Sequence, residues 1–319
     1  FLESVEKNRP IVDSAKAEEF YERILVQFGD DSVAELGVTH IAVENVSNVV
    51  AKLIEDRRIG LDPLEKSTRY VQFDEKDYSD EYKYCRPEKL MQSSLGKTYA
   101  EAMDLLFDTY TSLLEPLKDY FRQKFPQRDD QTDTAYAAAL RAQACDVLRY
   151  LLPMGTLTNV GLVANGRAFE YLIQNLLASP LEEAKGVGRE LLKELKLVLP
   201  AFVRRLETER GQQAVAYLSE RQNYESSLPQ LPLSIYERPS HAARLMQYDK
   251  DGETRVAAAM LFESSMLPLD VIQSQLAQKT KEEVRAIIRG QYAARQHRTH
   301  KPSRAFEHTT YAFDVVCDI

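Results

Sequence analysis

Asp56-Arg57-Arg58-Ile59-Gly60, followed by Glu65-Lys66-Ser67-Thr68-Arg69-Tyr70, gathers side chains able to bind a polar ligand. Read alone, the pair places a basic helix end beside a strand on which Glu65, Ser67 and Arg69 share one face. A carboxylate, a hydroxyl and a guanidinium together form a polar recognition surface, and arginine suits two-pronged binding of phosphate or carboxylate. A solvated strand face with one ion pair accounts for the same residues. Farther on, Arg295 to Lys301 is a basic run holding His297 and His300. It reads as a solvated loop or as a cationic wall for an anionic ligand. No carboxylate or cysteine set accompanies those histidines, so no metal is expected.

The elements that must position these groups follow from apolar spacing. Asp13 to Phe28 has helical periodicity and ends at Gly29-Asp30-Asp31. Val38 to Val46 alternates, with Thr39, Ile41 and Val43 on one face and His40, Ala42 and Glu44 on the other. A helix is predicted over Ser47–Arg57, a loop over Gly60–Pro63, a strand over Ser67–Phe73 and a polar turn at Asp74–Asp77. Leu95 to Phe125 reads as a helix with Leu106, Tyr110, Leu113, Leu114, Leu117 and Phe121 on one stripe and a kink or break at Pro116. Further helices are predicted over Thr134–Leu151, closed by Pro153, over Asn165–Leu177, and over Leu181–Leu206 with a bend at Pro200.

Composition bounds the function. The 319 residues, 44% hydrophobic and 28% charged, can bury a core and allow two domains. A net charge of -8 without a dominant basic block argues against a general nucleic-acid binder. No apolar run approaches the roughly 18 residues of a membrane span. Cys85, Cys145 and Cys317 are scattered, as in a reducing, cytoplasmic setting. The chain starts at Phe1 and stops at Ile319 inside an alternating run, which suggests a piece of a longer polypeptide.

A repeat is also visible. Glu18 to Phe28 is echoed by Glu282 to Tyr292, and Glu35-Leu36 with Thr39, Ile41 and Val43 by Glu307-His308 with Tyr311, Phe313 and Val315. Pro229, Pro232 and Pro239 mark a linker. The expected organisation is a first domain over 1–225, a linker over 226–243, and over 244–319 the opening part of a second copy.

Several ordered motifs resemble the flavin-dependent thymidylate synthases. They are Gly29-Asp30-Asp31-Ser32-Val33-Ala34-Glu35-Leu36, the strand and helix leading to Arg58, and Glu65-x-Ser67-x-Arg69-Tyr70. Leu148-Arg149-Tyr150-Leu151-Leu152-Pro153 resembles that family's Ala-Arg-x-x-Leu-Pro helix end, and Asn165-Gly166-Arg167 its Asn-Ala-Arg. The resemblance implies an α+β fold, a mainly antiparallel sheet flanked by helices, with active sites between the subunits of a homotetramer. Here, two copies per chain would let a dimer act as a pseudo-tetramer. It further implies FAD as cofactor and dUMP, methylenetetrahydrofolate and NADPH as substrates, with no cysteine attacking the pyrimidine. By position, Glu65, Ser67, Arg69 and Arg149 would contact the nucleotide, with Arg149 the catalytic candidate. Arg57, Arg58 and Asn165 would lie by the flavin, joined from the second copy by His308, and Arg167 would anchor the local turn or the ligand.

The departures also carry meaning. Asp56-Arg57-Arg58 stands where the family has Arg-His-Arg, and one extra residue separates it from Glu65. Leu36 replaces a histidine that Phe306-Glu307-His308 keeps, Leu176 a phosphate-binding arginine, and Tyr171 an asparagine. An acid near a phosphate repels it, and each lost guanidinium contact removes about 1.5–3 kcal/mol. The first copy alone is therefore expected to be a poor synthase, and a repurposed nucleotide-binding or oligomerisation module is the alternative.

Overall fold

The computed structural model describes residues 34–57, 59–228, 242–297 and 299–316. The chain divides into two compact units, 1–228 and 229–319. In chain order the first unit contains β1 (Val38–Ser47), α1 (Asn48–Glu55), β2 (Leu61–Glu65), the short α2 (Glu88–Met91), α3 (Gly96–Lys124) and α4 (Asp133–Leu148). There follow β3 (Leu157–Asn165), α5 (Gly166–Ala178), α6 (Glu182–Val198), the short α7 (Pro200–Val203) and α8 (Glu209–Ser227). The second unit contains β4 (Ala243–Tyr248), α9 (Gly252–Phe262), α10 (Leu269–Leu276), α11 (Lys281–Tyr292) and β5 (Tyr311–Val315). The class is mixed α and β with antiparallel pairing, but helices supply most of the mass and the sheets are small. None of the described helices is long and apolar enough to cross a membrane.

β3 is the centre of the first sheet. It pairs antiparallel with β1 on one side and β2 on the other. Thr158, Val160, Leu162 and Ala164 alternate inward from it, where they meet Val50 and Ile54 of α1 and Phe169, Leu172 and Ile173 of α5. The β1 alternation holds as far as Val43, whose face is the less exposed one. A bulge then shifts the register between Val43 and Val46. Asn45 takes a positive φ of 56° there, and its N–H donates to Asn159 Oδ1 at 2.9 Å.

Ser47 ends β1 and caps α1. Its hydroxyl accepts from Val50 N and donates to Glu183 Oε2 at 2.7 Å, while its N–H donates to Glu183 Oε1 at 2.7 Å. The Cys85 thiol donates to the same carboxylate at 3.4 Å. Burial and the Glu183 charge push that thiol up to about 12, so it stays protonated and inert. Cys145 is buried, and its thiol is also raised, mainly by desolvation.

Four expected features are corrected. The strand placed at Ser67–Phe73 lies instead at Leu61–Glu65, where a loop was expected. Pro63 misled that expectation, yet β2 is an edge strand and a proline there forfeits no ladder bond on its open side. Ser67 to Val71 forms a turn, with Tyr70 N and Val71 N donating to Ser67 O, so Glu65, Ser67 and Arg69 do not share a strand face. The buried stripe of α3 is Met103, Phe107, Tyr110 and Leu114, packed on Phe73, Tyr82 and Tyr84; Leu113 is exposed. α3 runs on through Pro116, which sits on its exposed side, so no break occurs there. β3 and α8 were not anticipated. The helix expected at Asp13–Phe28 lies outside the described residues.

In the second unit, β4 and β5 pair antiparallel, with Leu245 opposite Phe313 and Tyr248 opposite Tyr311. Its core joins Ala257 and Ala258 of α9 to Ile272 and Leu276 of α10 and Val284 of α11. Thr280 and Glu283 cap α11 reciprocally. Glu307 and His308 stand in a 3-10 turn before β5 rather than on a strand.

Ser47→Ala removes a helix cap and the hydroxyl donor to a half-buried carboxylate, whose bond from the backbone N–H remains. It should destabilise the protein by about 2–3 kcal/mol in denaturant melts; a change within about 0.5 kcal/mol would show that Glu183 finds other partners.

Candidate functional site

The site grows from the end of β3. Asn165 leaves the strand and caps α5, its side-chain oxygen accepting from Ala168 N at 2.8 Å. Its own N–H reaches Gly60 O at 3.3 Å, and the next N–H, from Gly166, reaches Gly37 O at 2.8 Å. Three segments thus meet at one helix start. Gly60 has φ +74°, and a Cβ there would sit 2.8 Å from the Asn165 amide nitrogen, so only glycine fits without strain.

A cleft of about 570 Å³ opens at this junction, with Asn165, Arg167, Glu170, Tyr171 and Arg205 among its walls. Arg167 pairs with Glu35 at 2.6 Å. Glu170 is 5% exposed and takes two bonds from Arg205, Nε to Oε1 at 2.7 Å and Nη2 to Oε2 at 2.6 Å. Both pairs are internally neutral. Arg57 differs: its guanidinium lies 5.6 Å from the centre of the Tyr171 ring, and its Nε is buried without a hydrogen-bond partner. The neighbouring acid, Asp56, is held by Lys52 at 2.8 Å.

Of the residues predicted from sequence, the structure gathers Asn165 and Arg167 at the cleft, while Arg57 packs on the ring of Tyr171, one of its walls, without lining it. Arg58 lies outside the described residues. Glu65, Ser67, Arg69 and Arg149 do not line the cleft. Glu65 closes β2 opposite Val160, whereas Leu61 at the cleft end lies opposite Ala164, a separation of about 13 Å along the strand. Arg69 follows in the turn, its guanidinium 5.4 Å from the Tyr70 ring. Arg149 opens the 3-10 turn after α4, 3.8 Å from Asp146 and 5.8 Å from the Tyr150 ring. Leu64, Tyr70 and Tyr150, chain neighbours of Glu65, Arg69 and Arg149, are exposed apolar side chains. His308 belongs to the second unit.

Sequence reasoning missed Glu170 and Arg205. The available signal was a glutamate beside Phe169, Leu172 and Ile173 on the apolar face of a helix, since a carboxylate placed there needs a cation. Among the described residues, no group of three or more histidines, cysteines, aspartates or glutamates is placed to hold a metal.

Fold and cleft together define a mixed α/β protein with a polar, arginine-walled cleft at the start of a helix. The profile of the thymidylate synthase complementing protein family matches residues 2–201, and the chain belongs to that family. The chain is 39% identical to a UPF0159 protein of Chlamydia pneumoniae over 310 residues, covering 96% of this chain and 58% of that protein. A UPF0159 protein of Chlamydia muridarum is 37% identical, with 95% and 58% covered. The UPF0159 protein Ta1429 of Thermoplasma acidophilum is 30% identical, with 94% and 63% covered. The chain therefore spans only about three fifths of the length of these relatives.

Burial raises the Glu65 carboxyl above its ordinary range, and Glu55 adds to the effect, while a Thr158 hydrogen bond and Lys52 offset part of it. A raised folded pKa means that ionised Glu65 costs stability above its ordinary value of 4.5. Glu65→Gln should therefore raise Tm at about pH 7 and give no advantage below about pH 4. A lower Tm at neutral pH would mean that the charge is well paired.

Proposed function

We propose that this chain is a flavin- and nucleotide-binding protein acting in the reductive methylation of dUMP to dTMP, with FAD as cofactor and methylenetetrahydrofolate and NADPH as co-substrates. The observation that carries the reading is the buried, unpartnered Arg57 nitrogen beside Tyr171, a wall residue of the cleft whose own arginines are paired. A buried donor without an acceptor costs about 1–3 kcal/mol, which an anionic ligand with an aromatic ring relieves. A cation, an aromatic face and the Asn165 amide fit one end of FAD on that ground. When bound, the flavin supplies the hydride.

The chain's own residues bind and orient. Arg57, Arg58 and Asn165 face the flavin in this reading, and Arg167 fixes the turn through Glu35. Glu65, Ser67, Arg69 and Arg149 hold dUMP, with Arg149 bringing positive charge to the reacting nucleotide. This second group lies away from the cleft, so one complete site takes its two walls from different copies of the domain. The exposed Leu64, Tyr70 and Tyr150 support burial of that region in a homo-oligomer. A dimer acting as a pseudo-tetramer satisfies the arrangement if residues 244–319 open a second copy, to which His308 belongs. The greater length of the relatives supports such a tandem organisation. A cytoplasmic location accords with the inert thiol of Cys85 and the buried one of Cys145.

A second reading has one observation in its favour. Arg167 and Arg205 are already neutralised by Glu35 and Glu170, and Asp56 occupies a position that is arginine in flavin-dependent synthases, which suits a repurposed scaffold. The two separate by titration of the full chain with dUMP. Arg69→Ala and Arg149→Ala should each weaken binding about tenfold, or about 1.4 kcal/mol, at unchanged Tm. Affinity equal to that of the parent chain would remove them from the nucleotide site, and no dUMP binding by the parent would favour the scaffold.

A further inference from the structure

We propose that the second unit carries its own binding site for a phosphate group, in a recess between the end of α11 and the turn before β5. The recess measures about 460 Å³, and Tyr292, Arg295, His300, Lys301 and Ser303 are among its walls. No carboxylate lines it. That sets it apart from the rest of the unit, where Arg255 pairs with Asp249, Arg285 with Glu253, Arg289 with Glu282 and Arg304 with Glu307. Arg295 and Lys301 have no acidic partner among the described residues. Two cations left unpaired on one concave surface repel each other, and a bound anion relieves that repulsion.

The donors are also held in place. Arg295 Nε donates to His300 O at 2.9 Å, which fixes the guanidinium, and its terminal nitrogens make no hydrogen bond among the described residues. Gln296 N donates to His300 Nδ1 at 3.4 Å, so the neutral ring carries its proton on Nε2 and offers an N–H. Ser303 Oγ accepts from Ala305 N at 3.3 Å, which leaves its O–H free to donate. The Tyr292 ring, set edge-on to Phe306 at 5.3 Å, supplies an aromatic wall. A guanidinium, an ammonium, an imidazole and a hydroxyl lining one recess that holds no carboxylate suit a tetrahedral oxyanion, and the aromatic wall allows it to be part of a nucleotide. The site uses none of the residues of the first unit's cleft and stands independently of the synthase reading.

Inorganic phosphate and, separately, a nucleoside 5′-monophosphate lacking the uracil base are titrated into the full chain by calorimetry, with chloride adjusted to constant ionic strength. Lys301 makes no side-chain bond among the described residues, so Lys301→Ala leaves the fold intact and should weaken phosphate binding about five- to tenfold. Arg295→Ala should weaken it further, and Lys193→Ala, at an exposed lysine of α6 in the other unit, should leave it unchanged. Equal affinity for the two ligands assigns a site for free phosphate, and tighter nucleotide binding lost with Tyr292→Ala assigns a nucleotide site. No phosphate binding, or binding indifferent to Lys301→Ala, overturns the proposal. Binding of oligonucleotides alone also overturns it, in favour of a polyanion surface.

Discussion

The first unit depends on Asn165 holding the end of β3 against the start of α5. Its side chain satisfies one of the N–H groups that every helix start leaves open, and its backbone reaches Gly60. Because β3 is the central strand, this one residue fixes β1 and β2 relative to α5. The cleft is a consequence of that junction. Gly60 must take a left-handed conformation to pass the Asn165 amide, and Gly166 lies against Phe202, where a Cβ would come within 2.8 Å of the ring. A side chain at either glycine would force the strands and the helix start apart.

Electrostatics then sets the character of the cleft. Glu170 enters an apolar helix face and is tolerated because Arg205 meets both of its oxygens. Breaking such a pair costs about 3–5 kcal/mol, so this arginine is committed to the fold. Arg167 is occupied by Glu35 in the same way, although both side chains are about half exposed and the pair contributes little to stability. Among the described residues, Arg57 beside Tyr171 and Arg69 in the turn after β2 make no ion pair with an acid. Family membership and this distribution of unspent cations point the same way, toward a ligand carrying negative charge.

Much of this was legible in the sequence where local chemistry decides the outcome. Ser47 and Asn165 are good helix caps beside apolar periodic runs, and Pro153 and Pro200 stop or bend helices at the expected places. The alternation of β1 was readable up to its bulge, which Asn45 marks only in retrospect. β3 was harder to see, since Thr158 and Ala164 are weakly apolar and Gly161 interrupts the pattern, yet burial on the inner face makes it the sheet's centre. β2 contains Pro63 and so resembled a loop; only the order of strands explains why a proline is tolerated there. The ion pair between Glu170 and Arg205 spans two helical segments and no local spacing announces it. Motif resemblance named the polar residues without showing that Glu65 and Arg69 lie away from the cleft, because that depends on the direction and length of β2.

The central claim is that the first unit's cleft holds a flavin. Its most direct measurement is the absorbance spectrum of the purified full chain, before and after incubation with FAD and removal of the unbound cofactor. The account predicts retained flavin bands in the near-ultraviolet and blue, approaching one flavin per chain, and their loss in an Arg57→Ala protein that melts at the parent temperature. A colourless parent that retains no FAD at saturating concentration would contradict it.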